Sequence, residues 1–296
     1  MRGRAGPGSV ECMTHLPLTT SHWPAGTAAP RPGRLLLQTE GACDFDPEHL
    51  LDVFAAQRWR FVTVLRVFGA GDWAAPTRCA GWSVHEVVRH LGDCTAIGVA
   101  TEPGDGTLDV AEGFDPRTTP REWLAASDGE PPGASLDRLV AATEELLSVT
   151  RDRLRRGRRF DVWLPYGPVD WTVRLLHGFW DSWLHERDVL LARGADHPTD
   201  GDATAYAAGY GVFIAGAVAA MFGDPVQATL RLGGDGGGTF DLGGRGATAL
   251  TVDRTATVGS PAAEVADALA GRPPAAVLSG LPAGLFQMAE FFNTPA

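Results

Sequence analysis

The stretch HGFWDSWLHERDVLLARG, residues 177–194, decides the fold. Wound at about 100° per residue, it and the turn before it place Val173, Trp180, Leu184 and Leu191 on one flank and Leu175, Phe179 and Val189 on the other. Leu176, Trp183 and Leu190 fall at the back, so the segment from about Thr172 to Arg193 reads as a helix buried over most of its circumference. One line breaks the pattern: Arg174, His177, Asp181, His185 and Asp188 lie within about 80° of arc, with Glu186 and Arg187 scattered outside it. The plain reading is a solvated face. Solvated faces, however, are usually built from Lys, Glu, Arg and Gln, whose long chains are easily hydrated. Short-chained Asp and His one turn apart have a different use, because side chains at i and i+4 stack along the helix. Asp181 and His185 can therefore hold one metal ion between them.

Such a site takes a third ligand from another element, and residues 83–100, SVHEVVRHLGDCTAIGVA, offer two histidines. Ser83 with Glu86 three residues on reads as a capping box that opens a helix. With Val87, Val88, Leu91 and Ile97 on its buried arc, His90 falls inside the arc's edge beside Cys94, and His85 falls opposite with Arg89 and Gly92. The expectation is that His90 points into the bundle and His85 at water. The competing reading of His90 is a core histidine bonded to backbone. His90, Asp181 and His185 supply two imidazoles and one carboxylate, a catalytic ligand count that leaves a position open for water or thiolate.

Outward from these helices, 46–69 and 135–157 carry apolar residues at helical spacing, and a long connection, 101–133, has room for a short helix at PREWLAAS (120–127). Four helices with one long connection predict a bundle with a crossover over residues 41–198. LPYGPVDW (164–171) reads as a turn. Residues 199–296 change character: a small-residue helix, then alternating runs VQATLRL, GTFDLGG and TALTVDR, then two helices, which together predict a small α+β domain. The run GGDGGG (233–238) lacks the lysine of a phosphate-binding loop and reads as a hairpin loop. Residues 1–40 are rich in Pro, Gly, Thr and Ala and read as a disordered extension, with Met13 an alternative start.

The chain of 296 residues is 44% hydrophobic and 21% charged, which suits a globular protein with a sizeable core. Its net charge of −11 without any basic block disfavours nucleic-acid and anionic-membrane partners, and no run is apolar and long enough for a membrane span. Cys12, Cys43, Cys79 and Cys94 form no CxxC pair, which predicts reduced thiols and a cytoplasmic protein. The expected partner is a small molecule, bound by a monomer or homodimer.

The segments PTRCAGWSVHEVVRHLGD (76–93), WDSWLHERDVLLARG (180–194) and, more loosely, VGSPAAEVADALAGRPPAAVLSGLP (258–282) resemble the mycothiol-dependent maleylpyruvate isomerase family, a branch of the DinB-like metalloproteins. The resemblance spans residues 45–296. It implies a mainly α protein, a DinB-type four-helix bundle holding a divalent metal, often zinc, followed by a small α+β domain of sterol-carrier-like type. His90 matches the family's metal histidine, and Asp181 and His185 match its carboxylate-x3-histidine pair, although the isomerase proper has Glu where this chain has Asp. Asp188 matches an acidic residue one turn on, and Arg272 in LAGRPP matches a C-terminal arginine. The implied activity uses mycothiol or another low-molecular-weight thiol as cosubstrate. Activated at the metal's open position, the thiol adds to an electrophilic carbon; expulsion after rotation makes an isomerase and retention an S-transferase. Asp188 would orient His185 or handle a proton, and Arg272 or Arg174 would hold a substrate carboxylate. His177 would contact the thiol, with a supporting or plain surface role equally open. The site is expected between the two domains, with Arg272 facing the metal across the cleft. Two other readings use the same residues: metal-assisted hydrolysis or lyase chemistry without a thiol, and a non-catalytic small-molecule-binding protein.

Overall fold

A computed structural model describes residues 36–37, 43–101, 118–164, 167–198, 201–222, 226, 228–243, 247–251, 260–273 and 280–292. Helix α1 (Pro47–Leu65) starts where Asp46 accepts the backbone N–H groups of Glu48 and His49 at 2.9 and 3.2 Å, with proline in the first turn. After the short α2 (Ala70–Trp73), the expected capping box opens α3 (Val84–Ala100). The Glu86 amide donates to Ser83 Oγ at 3.3 Å and the Ser83 amide to Glu86 Oε2 at 2.6 Å. Helix α4 (Thr119–Ala126) occupies the long connection, and α5 (Pro132–Arg155) returns along α3. Helix α6 (Trp171–Ala192) starts at Asp170, whose carboxylate accepts the Thr172 amide at 2.9 Å. The bundle is α1, α3, α5 and α6, with α1 and α3 each packed on both α5 and α6.

Ahead of α6, a turn was expected and an antiparallel hairpin is found, β3 (Asp161–Leu164) on β4 (Gly167–Asp170). Val162, Leu164 and Val169 are buried in the main core, and this two-residue periodicity was hidden by Pro165 between the strands and by Gly167 and Pro168 at the start of β4. Within the expected N-terminal extension, Leu36–Leu37 (β1) pairs antiparallel with Cys43–Asp44 (β2); residues 1–35 and 38–42 lie outside the described part.

Helix α7 (Gly201–Met221) packs on α1 and α6 and is buried on all sides from Ala203 to Ala219, with Ala207, Ala208, Tyr210, Val212 and Ile214 fully covered. The small-residue sequence allows that close approach: a Cβ at Gly211 would stand 3.4 Å from Trp180 Nε1. One hydrophobic core continues from α1 and α6 through α7 to α8 (Ala262–Leu269), Leu285 in the turn 283–286 and Met288 in α9 (Gln287–Phe292). Strands β5 (Ala228–Leu232), β6 (Gly238–Gly243) and β7 (Ala247–Thr251) form an antiparallel sheet in that order. The glycine run is the β5–β6 hairpin loop, as read from sequence. At Gly236 φ is +71° and a Cβ would meet the α7 backbone at 2.5 Å from Ala205 N, so only glycine fits where loop and helix touch. No helix among the described residues is long and apolar enough to cross a membrane. Cys79 and Cys94 are free.

Burial of charge fixes how α6 sits. Glu186, fully buried, accepts from Arg60 Nε and Nη2 at 2.9 and 2.8 Å and from Gln57 Nε2 at 3.0 Å. Arg187 donates to both oxygens of Asp267 on α8 at 3.1 and 2.6 Å, and Arg78 Nη2 reaches the same carboxylate at 3.1 Å. His197 bridges the two systems, with Nε2 3.2 Å from Glu186 Oε2 and Nδ1 3.4 Å from Arg187 Nη1. A guanidinium can only donate, so Nδ1 accepts and Nε2–H donates: His197 is held neutral. Burial lowers its pKa, with Arg187 and Arg60 acting in the same direction against Glu186.

Two outcomes follow from this arrangement. Asp267→Ala strands Arg187 in the interior and should cost about 3–5 kcal/mol in urea unfolding; an unchanged midpoint would show that the pair is not needed. Because the folded pKa of His197 lies below its unfolded value of 6.5, the unfolded chain binds more protons as pH falls below about 6.5, and stability declines there. His197→Gln, which keeps one donor and one acceptor but cannot take the proton, should lose less stability than wild type between pH 7.5 and 5.5. Equal losses would remove His197 as the cause.

Candidate metal centre

The capping box places His90 two turns into α3, and α6 carries Asp181 and His185 one turn apart. The three converge. His90 Nε2 is 3.5 Å from Asp181 Oδ2 and His185 Nε2 is 3.4 Å from Asp181 Oδ1. One ligand atom from each residue lies within 4.8 Å of the other two. Ligand atoms about 2.0–2.1 Å from a tetrahedral zinc stand about 3.4 Å apart, so two nitrogens and an oxygen in this arrangement fit a divalent metal.

The line of polar residues on α6 is not a solvated face. From Trp171 to Leu190 every residue is buried except Arg174, His177, Gly178 and Asp181, which are half-buried and spaced as one stripe. His185 and Asp188, further along the same line, are buried at 4% and 0% exposure. Between Trp171 and Leu190, the accessible part of α6 is thus a strip that ends at Asp181, the outermost of the three candidate ligands.

Electrostatics bind the cluster together. Burial lowers the pKa of His90, but Cys94 and Asp181 outweigh it and bring the value up to about 9. His185 also rises to about 9, burial being outweighed by Asp181 and Asp188. Burial pushes Asp181 upward, yet the two histidines hold it well below the usual carboxylate range. Asp188 lies 3.2 Å from His185 Nδ1, within ion-pair reach though off the line of a hydrogen bond. Against burial, Arg272 and His185 hold its pKa down to about 2.

Arg272 is buried on Asp188, with Nε 3.2 and 3.3 Å from the two carboxylate oxygens, Nη2 at 3.0 Å and Nη1 on Ala270 O at 2.5 Å. Its guanidinium therefore meets Asp188, behind His185. His177 Nδ1 lies 2.8 Å from Tyr210 Oη on α7, and burial, reinforced by Arg174 and opposed by Asp181, lowers its pKa to about 4. His177 is neutral at pH 7.

His85 departs from expectation. It is half-buried, with Nε2 2.9 Å from Ser135 Oγ at the start of α5 and its ring edge-on to Trp73. Arg89, expected on the same wet side, is buried and donates to Leu124 O and to Ser127 Oγ at 2.9 and 3.0 Å. The periodicity of α3 located one buried arc but not the cover that α4 and α5 lay over the other. His85 is nonetheless outside the converging group.

Several neighbours escaped the sequence reading. Trp82 stacks on His185 with centroids 5.9 Å apart and tilts over His90 at 4.9 Å, walling the site. It sits in the quoted segment 76–93, just before the cap of α3, and that position was the available signal. Cys79 groups with His185 and Asp188 within 4.8 Å, and burial pushes its thiol up to about 11. Cys94 Sγ lies 3.6 and 3.8 Å from the two His90 nitrogens.

The scaffold is a mainly helical, DinB-like fold. The chain shares it with a crystal structure of a mutant of mycothiol-dependent maleylpyruvate isomerase, at a TM-score of 0.54 and 15% identity over 77% of this chain and 90% of that one. Residues 54–190 match the family described as the mycothiol maleylpyruvate isomerase N-terminal domain. The match runs from α1 to the end of α6 and contains His90, Asp181 and His185. Comparison with curated proteins finds no match.

The geometry predicts one divalent metal per chain. His90→Ala should lose most of it while circular dichroism stays helical, and His85→Ala should keep it; full metal content in the His90 variant would break the assignment. Metal must displace protons from imidazoles whose pKa values stand at about 9. Its affinity should therefore keep rising with pH to about 9. Chelator competition showing a plateau near pH 6.5 would contradict this.

Proposed function

We propose that the protein is a metal-dependent, cytoplasmic enzyme that uses mycothiol, or a close low-molecular-weight thiol, to isomerise a small electrophilic metabolite bearing a carboxylate. The observation that carries this reading is the convergence of His90, Asp181 and His185, inside the part of the chain matched to the isomerase family, at the end of the accessible strip. A zinc ion held by these residues supplies a Lewis acid that lowers the pKa of a thiol placed beside it. The chain's own groups do the rest.

Asp188, kept ionised by Arg272, faces the Nδ1 side of His185 and favours the tautomer with the proton there, which leaves the Nε2 lone pair toward Asp181 and the metal. Trp82 limits water on one side of the two rings. Of the two arginines considered for the substrate carboxylate, Arg272 is committed to Asp188 and Ala270, whereas Arg174 stands on the strip leading to Asp181. We therefore assign the carboxylate to Arg174 and keep Arg272 as a positioning residue. Neutral His177, one turn from Arg174 and one from Asp181, contacts the thiol or substrate as a hydrogen-bonding group without adding charge.

The test is turnover of maleylpyruvate by zinc-loaded protein with and without mycothiol. The expected result is turnover that requires both, and activity without thiol would favour the hydrolase or lyase reading. Arg174→Ala should raise KM on the order of tenfold with metal content unchanged. An unaltered KM would move the carboxylate elsewhere.

A further inference from the structure

Arg58, on α1, is a buried cation that neither the metal ligands nor the positioning residues explain. It is 2% exposed. Its Nε donates to Ser182 Oγ at 3.1 Å and its Nη1 to Thr95 Oγ1 at 3.2 Å, and its guanidinium lies 5.3 Å from the Phe54 ring centroid. Ser182 follows Asp181 on α6, and Thr95 follows Cys94 on α3, so this one side chain joins the two helices that carry the candidate ligands.

Both hydrogen-bond partners are uncharged hydroxyls. Ser182 Oγ passes its own proton to Gln57 Oε1 at 2.7 Å and Thr95 Oγ1 to Leu91 O at 2.5 Å, so neither neutralises the guanidinium. Asp181 and Glu186 attract Arg58 only through space, and each is occupied elsewhere, Asp181 with His90 and His185, Glu186 with Arg60, Gln57 and His197. Among the described residues no carboxylate stands within ion-pair distance of Arg58. Arg187 and Arg272 have carboxylates, whereas Arg153 rests on the carbonyls of Gly98, Val99 and Thr101 at the end of α3 and Arg89 on Leu124 O and Ser127 Oγ, so Arg58 is set apart by lying between the two ligand-bearing helices. The strain of holding this charge shows in Arg58 itself, whose pKa burial lowers to about 10.

We propose that Arg58 sets the charge balance of the metal centre, loosening the hold on the dication while favouring an anionic ligand, such as a thiolate, at the open position. The inference rests on the reading that His90, Asp181 and His185 bind a metal. Its logic is Coulombic: one fixed positive charge between the two ligand-bearing helices repels a dication and attracts an anion, and burial on uncharged hydrogen-bond partners, away from salt, keeps the field little screened. The two effects have opposite signs, which a purely structural staple would not produce.

The experiment compares wild type with Arg58→Met, which removes the charge but fills the space, Arg58→Lys, which keeps it, and Thr95→Asp, which neutralises it in place. Zinc affinity is read by chelator competition. Thiol ligation is read on cobalt-loaded protein with 2-mercaptoethanol, as the pH midpoint of the sulfur-to-cobalt charge-transfer absorption. Arg58→Met and Thr95→Asp should bind zinc on the order of tenfold more tightly and move the thiol midpoint up by about one pH unit. Arg58→Lys should stay within about twofold of wild type in zinc affinity. Weaker zinc binding in Arg58→Met, an unmoved midpoint, or loss of fold in both neutralising variants would reduce Arg58 to a staple and overturn the inference. Wild-type protein that binds no metal would overturn the metal reading itself, and this inference with it.

Discussion

Four consecutive residues of α6, His185, Glu186, Arg187 and Asp188, are ionisable and buried, and the assembly depends on satisfying all four at once. A helix turns about 100° per residue, so they cannot share a partner. His185 faces Asp181 and His90, Glu186 takes Arg60 and Gln57 of α1, Arg187 takes Asp267 of α8, and Asp188 takes Arg272 just beyond α8. Leaving any one unpaired costs several kcal/mol, so the register of α6 against α1, α3 and α8 is fixed by charge as firmly as by its tryptophans. The same constraint ties the C-terminal segment to the candidate metal site: two ion pairs of opposite polarity, one residue apart, hold α8 and Arg272 against the ligand helix.

That tie explains what was legible in the sequence and what was not. The stripe on α6, the capping box at Ser83 and the choice of His90 over His85 all follow from helical spacing, and the structure brings His90, Asp181 and His185 together as that spacing suggested. Glu186 and Arg187, by contrast, fell outside the stripe and looked incidental, because periodicity says which way a side chain points but not what waits there. The same blind spot put His85 and Arg89 in water, since nothing within α3 signals the cover supplied by α4 and the start of α5. Trp82 and Arg58 were invisible for a further reason: each acts on the site from an element whose own pattern is an ordinary amphipathic helix or loop.

The chemistry attributed to the centre follows from its charge. A carboxylate between two imidazoles holds protons that a dication can replace, Asp188 and Arg272 back the buried Nδ1 side of His185, and the accessible strip leads from Arg174 past neutral His177 to Asp181. The match of residues 54–190 to the isomerase domain is what supports the proposal that a thiol occupies the open position.

The most direct test of this account is X-ray absorption fine structure on the zinc-loaded protein before and after addition of mycothiol. The account predicts a shell of nitrogen and oxygen at about 2.0–2.1 Å with the multiple scattering of two imidazoles, joined on addition of the thiol by one sulfur at about 2.3 Å. A zinc shell without imidazole scattering, or a spectrum that the thiol leaves unchanged, would contradict it.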